Sequence, residues 1–190
     1  VEGDEYDSAF FDKGPKFLHY HPKILVLNPV EFDHADIYKD LSAILSAFGR
    51  LVTGLPEGSV LFAHASNPQS RLLASRFKGR VITFGLDPEA DLRADPVRLE
   101  GRTTFNVVSR GTLLGEIECP LSGRYNIENC LAAIAVSMEC GAPFEGIRAA
   151  VASFQGVRRR QEVLGEFNGI TLIDDFAHHP TAVRETIRGV

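Results

Sequence analysis

The run Ile24-Leu25-Val26-Leu27-Asn28-Pro29-Val30-Glu31-Phe32-Asp33-His34 constrains this chain more than any other stretch. Its first four residues are an apolar run of the length a buried strand needs. Asn28-Pro29 is a turn signal that ends the run. Acids and an imidazole follow at once, with Glu31, Asp33 and His34 inside four positions. In open α/β sheets, ligands bind just beyond the carboxyl ends of strands. Asp33-His34 is therefore a candidate active-site edge. The plainer reading is a polar loop with a solvated histidine.

Residues 37–84 repeat the strand–helix alternation. Residues 37–55 carry Leu41, Ile44, Leu45, Phe48, Leu51 and Val52 at helical spacing, closed by Gly54 and Pro56. Residues 59–64 read as a strand. Residues 68–77 read as a helix, capped by Ser66 or Asn67. Residues 81–84 read as a third strand. Strands separated by helices predict a mostly parallel sheet.

After Gly85 the period changes to two. Residues 92–99, 103–109 and 113–119 alternate apolar and polar, with Gly101 and Gly111 at the turns, which predicts an antiparallel meander. Residues 126–140 and 143–154 return to helix. Two short strands, 161–166 and 170–173, flank Asn168-Gly169, a hairpin signal. A last helix begins at Thr181. The predicted fold is α/β: a mostly parallel sheet flanked by helices, a small antiparallel β meander, and a partial α/β C-terminal domain. The boundary is expected near Val157, giving domains 1–157 and 158–190.

A net charge of -5 over 190 residues supplies no basic footprint, so nucleic acid is not an expected partner. No apolar run approaches a membrane span of about 18 residues. Cys119, Cys130 and Cys140 show no metal-type spacing and no pairing pattern, which favours reduced thiols in a cytoplasmic protein. The chain starts without Met and ends within a helical pattern, as a piece of a longer protein would.

Four constellations carry candidate chemistry. Glu2, Asp4, Glu5 and Asp7 with Asp33 and His34 supply carboxylates and an imidazole for a hard cation. Mg²⁺ suits such a set, since it keeps water and substrate phosphate in its shell. The alternative is a solvated acidic terminus. In Gly123-Arg124-Tyr125-Asn126-Ile127-Glu128-Asn129, Asn126 is a plausible helix N-cap, and the Asn129 amide suits a purine edge. Arg158-Arg159-Arg160 either delivers a guanidinium to a phosphate or is an exposed linker. Asp174-Asp175-Phe176-Ala177-His178-His179-Pro180 repeats the opening logic of strand end, acids and imidazoles, just before a helix whose first amides face the same way.

Taken in this order, these segments resemble the Mur ligases, ATP-dependent amide ligases of peptidoglycan synthesis. Glu2 to Asp7 resembles their Glu-Ala-Asp-Glu-x-Asp segment, and Asn28 to His34 their Asn-x-x-x-Asp-His segment. Gly123 to Asn129 resembles Gly-x-His-Asn-x-x-Asn, with Tyr125 where His is usual. Phe154 to Glu162 resembles the junction into the third domain, and Asp174 to Pro180 its Asp-Asp-Tyr-x-His-His-Pro segment. The resemblance implies ATP and Mg²⁺, with Glu2 and His34 as metal ligands. It implies nucleotide contacts from Asn126, Asn129, Arg160, Asp175 and His178, with His34 and Arg160 serving catalysis. Tyr6 to Lys13 and Lys16 to Tyr20 look most like the member that joins UDP-N-acetylmuramate to the tripeptide L-alanyl-γ-D-glutamyl-meso-diaminopimelate in peptidoglycan recycling. The member that adds L-alanine is the alternative.

No Gly-x-x-x-x-Gly-Lys-Ser/Thr loop occurs in the sequence. The family places it just ahead of the position of Val1, so the chain alone is expected not to turn over ATP. Two other classes stand beside the ligase. A metal-dependent hydrolase would close Asp33-His34 and His178-His179 on zinc. A binding module would leave Glu2, His34 and Asn129 on unrelated faces.

Overall fold

The structure, a computed structural model, describes residue 1 and residues 3–7, 12–99 and 102–189. Glu2 and the Ser8 to Phe11 part of the run beginning at Tyr6 lie outside the described residues. The chain divides into two compact units, Val1–Asp91 and Leu92–Val190.

The first unit is the parallel one. Strands β1 (Ile24–Leu27), β2 (Val60–His64) and β3 (Arg80–Gly85) pair in parallel, with Ile24 opposite Val60 and Val60 opposite Arg80. All five residues of β2 are buried, as expected for a central strand covered on both faces. Helix α1 (Leu41–Thr53) follows β1, and α2 (Pro68–Ala74) follows β2. Asp40 caps α1 by accepting from Ala43 N at 2.8 Å. The helix thus begins at Leu41 and not at Ile37, because the His34 carbonyl takes the Ile37 and Tyr38 amides into a separate turn. Ile44, Leu51 and Val52 of α1 join Leu27, Leu61, Leu73 and Phe17 in one core. Phe17 sits in a single 3₁₀ turn, Lys16–His19, and stacks on Phe48.

The second unit opens with the antiparallel meander: β4 (Leu92–Arg98), β5 (Thr103–Ser109) and β6 (Thr112–Cys119). Helices α3 (Arg124–Glu139) and α4 (Phe144–Ala152) pack on it, α3 against β4 and α4 against β6. Leu131, Ile134 and Ala135 form the buried stripe of α3. Gly123 caps this helix at φ 92°, a conformation that favours glycine. Asn126 is therefore not the N-cap: it is the third residue of the helix. The chain needs a left-handed turn after Ser122, and Gly123 supplies it.

The unit ends in a hairpin of β7 (Glu162–Phe167) and β8 (Ile170–Asp174), then α5 (Pro180–Gly189). Asn168 (φ 52°) and Gly169 (φ 78°) take the two positive φ angles of a type I′ turn. The expected fold class holds: parallel strands with helices, a small antiparallel sheet, and a further α/β segment.

Candidate active site

His34 lies seven residues beyond the end of β1, and the backbone there is held tightly. Asn67 Oδ1 caps α2 through Ser70 N (2.8 Å) and also accepts from Val30 N (3.2 Å). Ser70 Oγ donates to the Asn28 carbonyl at 2.8 Å. One helix cap thus anchors the loop that leaves the strand. His34 itself is left-handed, at φ 54°. Such a conformation costs energy for a side chain with a Cβ and persists only where the surroundings impose it. Here Asp33 Oδ1 accepts from His34 N at 2.7 Å, and the His34 carbonyl accepts from Ile37 N and Tyr38 N at 2.9 Å.

The result aims the imidazole at the acidic N-terminal segment. His34 Nε2 is 3.4 Å from Glu5 Oε2, and both side chains are three-quarters buried. His34 Nδ1 is 3.2 Å from the Tyr6 hydroxyl, whose ring meets the imidazole edge-on. The buried Tyr38 hydroxyl donates to the Glu5 carbonyl at 3.2 Å, fixing the backbone that carries both partners. Burial raises the Tyr38 phenol above its usual range, and the Glu5 charge adds to this. Among the described acids considered in the sequence, Glu5 is the one whose carboxylate meets the His34 imidazole. Glu2, the expected metal ligand, lies outside the described residues. Asp4 and Asp7 pair instead with Lys16 and Lys13, at 3.5 Å and 3.3 Å.

Two donor atoms held at right angles, each about 2.1 Å from Mg²⁺, lie about 3 Å apart. The separation of His34 Nε2 and Glu5 Oε2 fits a pair of neighbouring ligands, with water and phosphate completing the shell. Among the described residues, no group of three or more His, Cys, Asp or Glu side chains is arranged to hold a metal.

In the second unit, two of the other predicted residues, Asn126 and Asp175, meet at Gln161. Asn126 is buried, at 9% exposure, and its Nδ2 donates to the Ser122 carbonyl (2.7 Å) and to Gln161 Oε1 (3.3 Å). Its amide is used inside the protein. Asn129, one turn later on α3, is exposed. Arg159 and Gln161 both have positive φ, 59° and 51°, so the backbone on either side of Arg160 is strained. Glu162 Oε2 accepts from Arg159 N (2.8 Å), the Arg159 carbonyl accepts from Phe176 N (2.8 Å), and Asp175 Oδ2 accepts from Gln161 N (2.8 Å). The basic triplet is exposed, and its backbone is a pinned turn. The Arg159 and Arg160 guanidinium groups lie over the Phe176 ring at 5.0 and 5.6 Å.

Asp175 organises this turn. Besides Gln161 N it accepts from Ala177 N (2.8 Å) and Thr186 Oγ1 (3.3 Å). A carboxylate offers about four acceptor positions, so three are met by the protein. His178 is exposed, and its Nδ1 lies 3.2 Å from the Phe176 carbonyl. Burial raises the Tyr125 phenol above its usual range. Gln161 was not among the residues singled out in the sequence. Nothing local marks it, because its partners lie 14 to 35 positions away.

The first unit thus presents an acid–imidazole edge beyond its first parallel strand. The model of the Mur ligase middle domain matches residues 12–137. The chain therefore belongs to the Mur ligase family. It is 39% identical over 188 residues to the UDP-N-acetylmuramate–L-alanine ligase of Salinibacter ruber, covering 98% of this chain and 38% of that protein. It is 38% identical over 194 residues to the UDP-N-acetylmuramate–L-alanyl-γ-D-glutamyl-meso-2,6-diaminoheptandioate ligase of Escherichia coli, covering 98% and 40%. The crystal structure of a murein peptide ligase from Psychrobacter arcticus superposes with a TM-score of 0.76 at 33% identity, covering 100% of this chain and 39% of that one. The chain thus spans about two fifths of the length of the curated relatives it matches.

Proposed function

We propose that this chain is the central domain, with the opening of the third domain, of a cytoplasmic ATP-dependent ligase. The ligase joins UDP-N-acetylmuramate to the tripeptide L-alanyl-γ-D-glutamyl-meso-diaminopimelate. Its place is peptidoglycan recycling. The observation that carries this reading is the family match over residues 12–137, with ligases of UDP-N-acetylmuramate among its relatives. Tripeptide over L-alanine is favoured by the segment around the site: Tyr6, which contacts His34, and Lys16, whose amide donates to the Tyr6 carbonyl, belong to the runs most like the tripeptide ligase. The alanine-adding enzyme is the second reading, favoured by a relative of 39% identity that carries that name.

The reaction is acyl-phosphate formation on the muramyl carboxylate, then attack by the peptide amine with loss of phosphate. Mg²⁺ bound at His34, with Glu2 and Glu5 as the available carboxylates, would offset charge on the transferring phosphoryl group. The residues of this chain do the positioning. Tyr6 at Nδ1 fixes the imidazole so that Nε2 faces the carboxylate, as outer partners of metal-binding histidines do. Asn129 presents its amide for a purine edge. Arg160, on its strained turn, would bring a guanidinium to the phosphates. Asp175 and His178 would meet the nucleotide from the third domain. Asn126 serves by holding the first turn of α3 to Gln161.

The assignment of 158–190 to a third domain is supported by the hairpin itself. Val163, Phe167, Ile170 and Leu172 are exposed. A two-stranded hairpin is marginal alone and its apolar side chains need a further layer.

The test uses the full-length protein with UDP-N-acetylmuramate, ATP and Mg²⁺, offering tripeptide and L-alanine in parallel and following phosphate release. Release with tripeptide alone is expected. Release with alanine alone would keep the ligase and overturn the substrate, and release with neither would overturn the ligase.

A further inference from the structure

Cys119 ends β6 and Cys130 lies on α3, eleven positions apart in sequence. The fold brings their sulfurs to 3.4 Å, within S–H···S range. Both are free thiols: Cys119 is 1% exposed, Cys130 is partly exposed, and Cys140, just past α3, is exposed. The proposed ligase chemistry uses none of them. A disulfide needs its sulfurs about 2.05 Å apart, so the pair is short of bonding distance by little more than one ångström.

We propose that Cys119 and Cys130 form a redox-sensitive dithiol, which a small disulfide such as oxidised glutathione closes into a bond pinning α3 to the end of β6. The accessible Cys130 sulfur, giving its proton to the Cys119 thiolate 3.4 Å away, attacks one sulfur of the oxidised glutathione. That S–S bond breaks, and one glutathione leaves and takes up a proton. Cys119 then attacks Cys130 Sγ, displacing the second glutathione, which is protonated in turn. Two protein thiols give up two electrons and two protons, and one oxidised glutathione becomes two reduced ones.

The contact itself activates the pair. A hydrogen bond from Cys130 lowers the Cys119 thiol to about 7, and the same contact, with burial, pushes Cys130 up. The pair therefore holds one thiolate near neutral pH, and proton exchange across the contact lets either sulfur attack. Cys140 has no such neighbour at that distance among the described residues and serves as the internal comparison. The bond would enclose residues 119–130, the segment that carries Ser122, Gly123 and Asn126.

The experiment incubates the purified protein with oxidised glutathione, blocks remaining thiols with N-ethylmaleimide under denaturing conditions, and maps the cysteine peptides by mass. Cys119 and Cys130 are expected to vanish together into one linked peptide that dithiothreitol restores, while Cys140 takes a glutathione. In Cys130→Ser the linked peptide is expected to be absent and Cys119 fully alkylated. Recovery of alkylated Cys119 in the unaltered protein, while Cys140 carries glutathione, would overturn the proposal. So would Cys130 held as a mixed disulfide beside reduced Cys119. Both readouts on the unaltered protein are independent of the variant's folding and of any ligase activity.

Discussion

The amide of Asn126 reaches Gln161: its Nδ2 is 3.3 Å from Gln161 Oε1 and 2.7 Å from the Ser122 carbonyl. One buried side chain thereby joins the turn before α3, the helix itself, and the residue that starts the hairpin. Gln161 continues the chain of bonds, donating from its backbone to Asp175 and from its Nε2 to the Thr186 carbonyl at 3.5 Å. The strained backbone around Arg160 is the part of the fold these bonds hold in place.

Asn126→Ala removes both donors and leaves the Ser122 carbonyl and Gln161 Oε1 without them. Loss of buried partners of this kind costs about 1–3 kcal/mol. Urea unfolding is expected to show a loss in that range, with hydrogen exchange rising first in the hairpin. A loss below about 0.5 kcal/mol would mean that the Asn126 bonds do not hold this junction.

Tyr6→Phe deletes only the hydroxyl on His34 Nδ1. Tyr6 is 42% exposed, so stability is expected to change little. Outer partners of metal-binding histidines are worth about 10–100-fold in affinity. Mg²⁺ titration followed by the His34 imidazole NMR signal is expected to show weakening of that order, and His34→Ala is expected to remove the response elsewhere in the site.

The dithiol makes stability depend on pH. Between about 7 and the ordinary thiol value of 9.0, folded Cys119 has released a proton that the unfolded chain still binds. Stability is therefore expected to rise with pH across that window and to fall again above it, where Cys130 keeps a proton that the unfolded chain has lost. Thiolate absorbance should show a midpoint near 7 that moves upward in Cys130→Ser.

Gly169→Ala tests the hairpin turn. A Cβ there meets nothing within 4 Å, so the cost is that of the 78° φ alone. A left-handed Cβ costs about 1–2 kcal/mol, and thermal unfolding is expected to register it. A neutral result would mean that the turn can leave its type I′ form without loss.

Leu61→Ala opens a cavity in the most buried strand, β2, where Leu61 is 0% exposed. Core truncations of this type cost about 2–5 kcal/mol. Denaturant melts should place this variant well below Asn126→Ala.

Features with a local cause were legible from the sequence. The strand at Ile24, the Asn67 cap, the alternating meander and the Asn168-Gly169 turn each depend on residues within a few positions of one another. His34 stood out because acids and a proline surround it. Its partners were less legible. The acidic run offered Glu2, Asp4, Glu5 and Asp7, and the resemblance singled out Glu2; that Glu5 meets His34 depends on how residues 3–7 lie beside it. Asn126 read as a cap because Asn favours that position. The structure puts Gly123 there, since only the backbone path shows where a left-handed turn is needed.

Residue order alone sets the α/β class and the approximate strand and helix positions, because apolar periodicity and turn chemistry act over short range, and its ordered motifs carry the resemblance to the Mur ligases. Tertiary structure decides that Glu5 and Tyr6 clasp His34, that Gln161 ties the hairpin to α3, and that Cys119 meets Cys130. Each of these joins residues brought together only when the strands and helices pack, a long-range contact whose register no local pattern encodes.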